Sequence, residues 1–496
     1  MSWFNNIFKK RKNSDQNQAP RIFFTNEISG SKELFIPVKP KVVSMYTCGP
    51  TSYSTAHIGN LRAYVFSDTV ARTLEYAGYR VRRVINITDF GHLVTDGDDG
   101  EDKMTKGLRR EGLELTMENM RAMSEKYAAI FIEDLASVGV DVEQIIFPRA
   151  SDYIHEQIAL INTLEQKGYT YRTKDGVYFD TSKFPNYGKL GEINLSAQQS
   201  GIRVKQSREK RNPADFVLWK PDNKLGWESP WGKGFPGWHI ECSAMSRSLL
   251  GQEIDIHLGG EDLSPVHHNN EIAQSEAASG RTFVHYWMHN AFLNAQDGEK
   301  ASKSVGNVFY LSDVTAKSLP AGRQGFNPLA LRYFFLQAHY RTPISFSWDA
   351  LAGAAGALDR LWKMSAEIAK ESKRESEDSE ARVRFLAAIR DDLATPQAVG
   401  VLWESLKSDD YSPEEKWGLI EDADAHLGLS LVNPPITEAI KEADIPSQIR
   451  EMLALRSLAR SAKNFNEADR IRGEIEKSGY HVDDGPSGVV LTRTTL

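Results

Sequence analysis

Two short strings carry residue types suited to phosphate chemistry: His57-Ile58-Gly59-Asn60 near the start and Lys300-Ala301-Ser302-Lys303-Ser304 beyond the middle. An imidazole and an amide offer directed hydrogen bonds to oxygens that gain charge during displacement at phosphorus. Two ammonium groups, Lys300 and Lys303, spaced by three among small residues, can offset the charge on a departing polyphosphate. Neither string is specific alone, because short motifs recur by chance and a Lys/Ser loop is usually solvated surface. Together they suggest a split site for the phosphates of ATP, with His57, Gly59 and Asn60 on one side and Lys300, Ser302 and Lys303 on the other.

The segments around the first string are expected to position it. Lys41 to Thr47 reads as a buried strand, and Leu61, Val65, Val70 and Leu74 then recur at helical spacing over Leu61 to Ala77, closed by Gly78. Arg80 to Thr88 alternates like a second strand. Strand, helix, strand is a βαβ unit, which implies a parallel sheet with ligands at the carboxyl ends of its strands, where His57 to Asn60 falls. A second set predicts the other half of the sheet: helix His239–Leu250, strand Glu253–Leu258, helix His268–Ser279 and strand Val284–Leu293. The expected fold class is therefore α/β, a Rossmann-like doubly wound parallel sheet carrying an inserted domain, followed by an α-helical bundle and a small C-terminal domain.

The division expected along the chain is a polar, disordered extension over 1–20, the first half of the catalytic sheet over 21–140, an inserted domain over 141–235 and the second half over 236–299. The Lys/Ser loop and a linking region follow over 300–345, a helical bundle over 346–432 and a C-terminal module over 433–496. A basic run from Arg203 to Arg211 could touch RNA or be a solvated loop. In the last module a helix from about Ile449 to Ser478 would place Arg456, Arg460 and Lys463 on one face, either a phosphate contact or a solvated face. Leu319 to Gly325 reads as a surface insertion without chemistry, and the acidic loop Asp96 to Asp102 misses the spacing of a calcium loop.

Composition narrows the classes. With 496 residues, 41% hydrophobic and 26% charged, the chain can bury large cores, and no apolar run is long enough to span a bilayer. A net charge of −7 advertises no polyanion partner at the level of the whole chain. Trp3, Phe4, Ile7 and Phe8 precede Lys9 to Lys12, the reverse of a secretory signal; a solvated tail is the commoner meaning, a membrane- or partner-binding arm the sharper one. Two cysteines, Cys48 and Cys242, are too few for a disulfide scaffold and fit a reducing, cytoplasmic setting. Without a C-x-x-C knuckle, their spacing leaves open buried structural thiols or metal ligands. His267 and Glu271, four apart on a predicted helix, would face one way.

Further segments, read in order, resemble one family: Met45-Tyr-Thr-Cys-Gly-Pro-Thr51, Asn86-Ile-Thr-Asp89, Pro236-Gly-Trp-His-Ile-Glu-Cys-Ser-Ala-Met245, His267-His-Asn-Asn-Glu271 with Ile272-Ala-Gln-Ser275, and Tyr286-Trp-Met-His289. With the two opening strings they are similar to class I aminoacyl-tRNA synthetases, and within these to the cysteinyl-tRNA synthetases, from about Ile22 to the C-terminus. The resemblance implies a zinc site (Zn2+, one per chain) held by Cys48, Cys242, His267 and Glu271, and Trp238 as a wall of the substrate pocket beside Cys48. It implies ATP with Mg2+, L-cysteine and tRNA(Cys) as partners, a cytoplasmic monomer, and tRNA reading by the helical and C-terminal regions. Asn60 stands where the family more often has histidine, and Ala301 where it has methionine. The alternatives are a cysteine-activating ligase acting on an amino sugar and a non-catalytic nucleotide- or RNA-binding relative.

Overall fold

The computed structural model describes residues 20–90, 103–191, 209–295, 308–316, 325–435, 444–478, 480–485 and 488–493. Its centre is a parallel sheet of β1 (Val42–Thr47), β2 (Arg80–Ile85), β3 (Ile145–Ile146), β4 (Ile254–Gly260) and β5 (Val284–Asn290), in the order β5-β4-β1-β2-β3. Helix α1 (Ile58–Tyr76) crosses from β1 to β2, α2 (Trp238–Leu250) precedes β4, and α3 (Asn269–Ser279) crosses from β4 to β5. The chain runs outward from β1 on one side and from β4 on the other. A crevice therefore opens at the carboxyl ends between these two strands, where open α/β sheets bind ligands.

Local sequence accounts for these elements. Five of the six residues of β1 are buried, which is why its apolar residues do not alternate. In α1, Leu61, Val65, Val70 and Leu74 are all at most 1% exposed, and the helix ends before Gly78, whose φ of +91° suits the residue without a Cβ. The expected helix began at Leu61; capping by His57 and Asn60 starts it three residues earlier.

Between the two halves stands a four-stranded antiparallel sheet of Thr170–Arg172, Val177–Phe179, Phe216–Pro221 and Gly234–Pro236. Ile145–Ile146, inside the stretch read as the insert, instead forms the edge of the central sheet beside β2. Helices Trp348–Glu371, Glu380–Arg390, Thr395–Lys407 and Pro413–Leu427 follow. Among the described residues no helix is long and apolar enough to cross a membrane.

The long C-terminal helix is a correction. Two helices, Ser447–Ser461 and Phe465–Lys477, meet at a turn in which Lys463 has φ +57°, and a hairpin of Tyr480–Gly485 and Gly488–Arg493 follows. Arg456 is buried and Lys463 lies beyond the first helix, so Arg456, Arg460 and Lys463 do not form one exposed face. Helical periodicity on both sides of the turn hid the break. Residues 1–19, the acidic loop, most of the Arg203–Arg211 run and of the 319–325 stretch lie outside the described residues.

A buried charge cluster joins the sheet to the helical region. Asp68 on α1 is fully buried, with Arg72 Nε at 2.5 Å, Arg83 Nη1 at 3.1 Å and Arg332 Nη2 at 2.7 Å. Arg332, from helix Pro328–Leu336, also donates to the carbonyls of Val138 and Leu427. Burial disfavours the Asp68 carboxylate, but Arg72, Arg332 and Arg83 outweigh it and hold the group well below the usual carboxylate range. Removing the anion strands three buried cations. Asp68→Ala is therefore expected to cost about 3–5 kcal/mol in chemical denaturation at neutral pH, and a loss below about 1 kcal/mol would contradict this. Because the folded pKa is depressed, the stabilisation is present above about pH 4 and is lost as pH falls toward the folded value.

Candidate active site

The crevice is lined by Cys48, His57, Gly59 and Asn60 from the β1–α1 connection, and by Gly260 and Asn290 at the ends of β4 and β5. Cys48 follows β1 directly, and its N–H donates to the Leu258 carbonyl at 3.2 Å. The next residue has to be glycine: a Cβ on Gly49 would lie 1.5 Å from the Asn86 carbonyl oxygen. Gly49 N–H also donates to Asn86 Oδ1 at 2.8 Å, so the segment Asn86–Asp89 packs against the turn. His57 is the N-cap of α1, and Asn60 Oδ1 accepts from the His57 N–H at 3.1 Å. This places the imidazole and the amide at a helix N-terminus that opens on the crevice, a position that favours anions.

Lys300, Ser302 and Lys303 lie outside the described residues, but the chain on either side is tied to the same crevice. Leu293 lines it, and further on the Ile58 N–H donates to the Phe309 carbonyl at 2.8 Å while Tyr310 bridges to His57. Arg62, one turn into α1 and 2% exposed, fastens both flanks: Nη1 donates to the carbonyls of Ala291 and Phe292, each at 2.7 Å, and Nη2 to that of Thr342 at 2.7 Å. Sequence reasoning missed Arg62, since nothing in its type or spacing separates a buried clamp from a surface arginine.

Behind the crevice, one donor atom from each of Cys48, Cys242, His267 and Glu271 lies within 4.8 Å of the others. Cys242 comes from α2, His267 from a wide π-type turn over Ser264–His268, and Glu271 from the first turn of α3. The wide turn lets consecutive histidines face inward: His267 Nε2 is 3.0 Å from Glu271 Oε1, and His268 Nε2 is 3.3 Å from Cys48 Sγ. A second combination, Cys48, His257, His268 and Glu271, meets the same distance criterion, and the sequence reading had not singled out His257 or His268. The first set offers two thiols to a cation, where the second offers one.

Partners outside the first set orient it. His267 Nδ1 is 2.9 Å from His239 Nδ1, and Glu271 Oε2 is 3.0 Å from His257 Nε2. Trp238 lies against His267 in a tilted contact with ring centroids 4.4 Å apart, while Lys103, which lines the crevice, holds Nζ 5.3 Å from the indole centroid. Two thiols, an imidazole and a carboxylate, nearly all buried and braced by further hydrogen-bonding groups, make a donor set that can hold a metal ion and suits zinc chemically.

The charges of the cluster are interdependent. Hydrogen bonding from Cys48 pulls the Cys242 thiol down to about 6, while burial pushes Cys48 well up. Burial works against charge on both His267 and Glu271, yet the Glu271 carboxylate lifts His267 to about 10, and His257 together with His267 lowers Glu271 to about 2.

Residues 34–356 match the family model for the catalytic domain of class I (C) tRNA synthetases. Solved structures share the fold: methionyl-tRNA synthetase of Mycobacterium tuberculosis with methionyl-adenylate (TM-score 0.53, 15% identity, 79% of this chain and 91% of that one), and the LeuRS of Agrobacterium radiobacter K84 in a ternary complex with tRNA (0.56, 12%, 90% of each). The sheet and its crevice are thus those of a class I tRNA synthetase. Among curated proteins, cysteine–tRNA ligase 1 of Burkholderia lata is 43% identical over 92% of this chain and 93% of its own, and the cysteine–tRNA ligase of Treponema denticola is 38% identical over 92% and 97%. The chain belongs to the cysteine–tRNA ligase family.

If the first set holds the ion, purified protein is expected to carry about one zinc per chain and Cys242→Ser far less, by elemental analysis; equal content would assign the metal elsewhere. Cysteine ligates as thiolate and histidine as neutral imidazole, so titrating zinc into the metal-free protein should release protons, and apparent affinity should rise with pH. A pH-independent affinity would exclude this donor set.

Proposed function

We propose that this chain activates L-cysteine with Mg2+-ATP and transfers it to the terminal ribose of tRNA(Cys). The observation that carries this is the double membership of Cys48, which belongs both to the donor cluster and to the wall of the crevice that holds His57, Gly59 and Asn60. A substrate recognised by its side chain at Cys48 has its carboxylate in the compartment of the phosphate-binding turn. That carboxylate attacks the α-phosphorus of ATP, the bond to pyrophosphate breaks, and a ribose hydroxyl of the tRNA then displaces AMP at the acyl carbon.

The chain's own residues bind and orient. His57 and the Asn60 amide donate to α-phosphate oxygens as they gain charge, at the positive end of α1. Lys300, Ser302 and Lys303 meet the departing pyrophosphate, carried by a segment whose flanks are fixed beside His57. Cys48, Cys242, His267 and Glu271 would hold Zn2+, whose soft Lewis acidity favours a thiolate over a hydroxyl. Trp238 keeps water from the His267 side. The amino-sugar ligase is disfavoured because the relatives match this chain almost end to end, and the non-catalytic reading because the donor set is complete.

ATP–pyrophosphate exchange across the amino acids, followed by tRNA charging, tests the proposal. Exchange with cysteine should exceed that with serine by far more than the roughly 10–200-fold that an apolar pocket supplies, and charging of tRNA(Cys) should follow. Equal exchange with serine would sink the selection by the cluster, and exchange without charging would favour another acceptor.

A further inference from the structure

Arg62 is a buried cation whose hydrogen-bond partners are all main chain. Besides its bonds to Ala291, Phe292 and Thr342, the guanidinium reaches the carbonyls of His339 and Tyr340 through Nη2, each at 3.4 Å. Arg72, Arg83 and Arg332 close on the Asp68 carboxylate, whereas Arg62 is in no ion pair among the described residues. Glu261, the acid that supports its charge, accepts the Phe292 N–H at 2.8 Å. A buried charge is costly unless it is hydrogen-bonded, so this guanidinium is held in place by the carbonyls of two segments far apart in the chain.

Those two segments also hold each other. The Ala291 N–H donates to the Tyr340 carbonyl at 2.9 Å and the Ile344 N–H to the Phe292 carbonyl at 3.2 Å, and Leu293–Asn294 pairs in parallel with Ile344–Ser345. The strip they form therefore has its own bonds; what Arg62 adds is its attachment to α1. Ala291, Phe292 and Leu293 line the crevice on one side, with Gly59 and Asn60 from the first turn of α1 also in its wall. The two walls nearly meet: a Cβ on Gly59 would lie 3.6 Å from Leu293 Cβ. A small shift of the strip against α1 thus changes the room beside the phosphate-binding turn. Holding both segments at once needs the planar five-donor fork of arginine, which the single ammonium of lysine lacks.

We propose that Arg62 is a positioning residue for the nucleotide, setting the gap between the first turn of α1 and the Ala291–Leu293 wall without touching the substrate itself. The inference rests on the ATP-dependent activation of cysteine proposed above. Recognition of the cysteine side chain, behind the crevice, does not depend on this gap.

ATP–pyrophosphate exchange with Arg62→Lys tests it, beside Arg72→Lys as a second buried arginine replaced further along α1. In Arg62→Lys, kcat/KM for ATP is expected to fall about tenfold or more while KM for cysteine stays within about twofold of wild type. Arg72→Lys should lose stability in chemical denaturation and keep the wild-type kcat/KM for ATP. Glu261→Ala releases the Phe292 N–H from a half-buried position, should lower kcat/KM for ATP about threefold or more, and decides the matter if Arg62→Lys does not fold. The proposal is overturned by wild-type kcat/KM for ATP in Arg62→Lys or, where that variant does not fold, in Glu261→Ala. An equal rise in KM for cysteine, or the same loss in Arg72→Lys, would overturn it as well. Wild-type protein without cysteine-dependent exchange would overturn the cysteine-activating reading itself, and the proposal with it.

Discussion

Parallel pairing of Met45, Tyr46 and Thr47 with Ile256, His257 and Leu258 is the contact on which the site depends. It joins two halves of the sheet that are some two hundred residues apart in the chain. Because both strands end at the same level, the turn after β1, carrying Cys48 and leading to His57, faces the turn after β4, carrying His267, His268 and Glu271. The side chains carried just beyond the ends of these two strands are placed by this register. A slip of one residue would turn each strand's buried set to the opposite face of the sheet.

Buried charge on the two sides of the sheet is handled differently. Around Asp68 one carboxylate is held by three guanidiniums, and the cluster locks α1 and β2 to the helical region. Around Glu271 the donors are short of cations: two thiols and a carboxylate face imidazoles that can carry a proton. Polar groups are costly to bury unless paired: Asp68 is paired by the cations around it, while the second cluster gathers donors that could hold a metal ion. The first therefore serves architecture.

Much of this was legible in residue order. The strands, the crossover helices and the return to helices after Trp348 follow from the apolar patterns, and the element bounds differ from expectation by a few residues at most within the sheet halves. The C-terminal region shows where pattern fails. Lys463 in a left-handed turn interrupts a periodicity that continues on both sides, and local sequence does not report a backbone sign change at a lysine. Arg62 and His257 were invisible for another reason: an arginine or a histidine reads the same whether buried or solvated.

The sequence by itself determined the α/β class and, through the segments around Cys48, Cys242, His267 and Glu271, the family. Those are matters of residue identity and short-range periodicity. Only the tertiary structure decided that these four donors share one buried compartment and that Cys48 alone among them also faces the crevice. It also set the chain on either side of residues 300–304 against His57. The physical reason is that convergence comes from strand order and register, fixed by hydrophobic burial across long stretches of chain, and no local pattern encodes which distant strands will lie side by side.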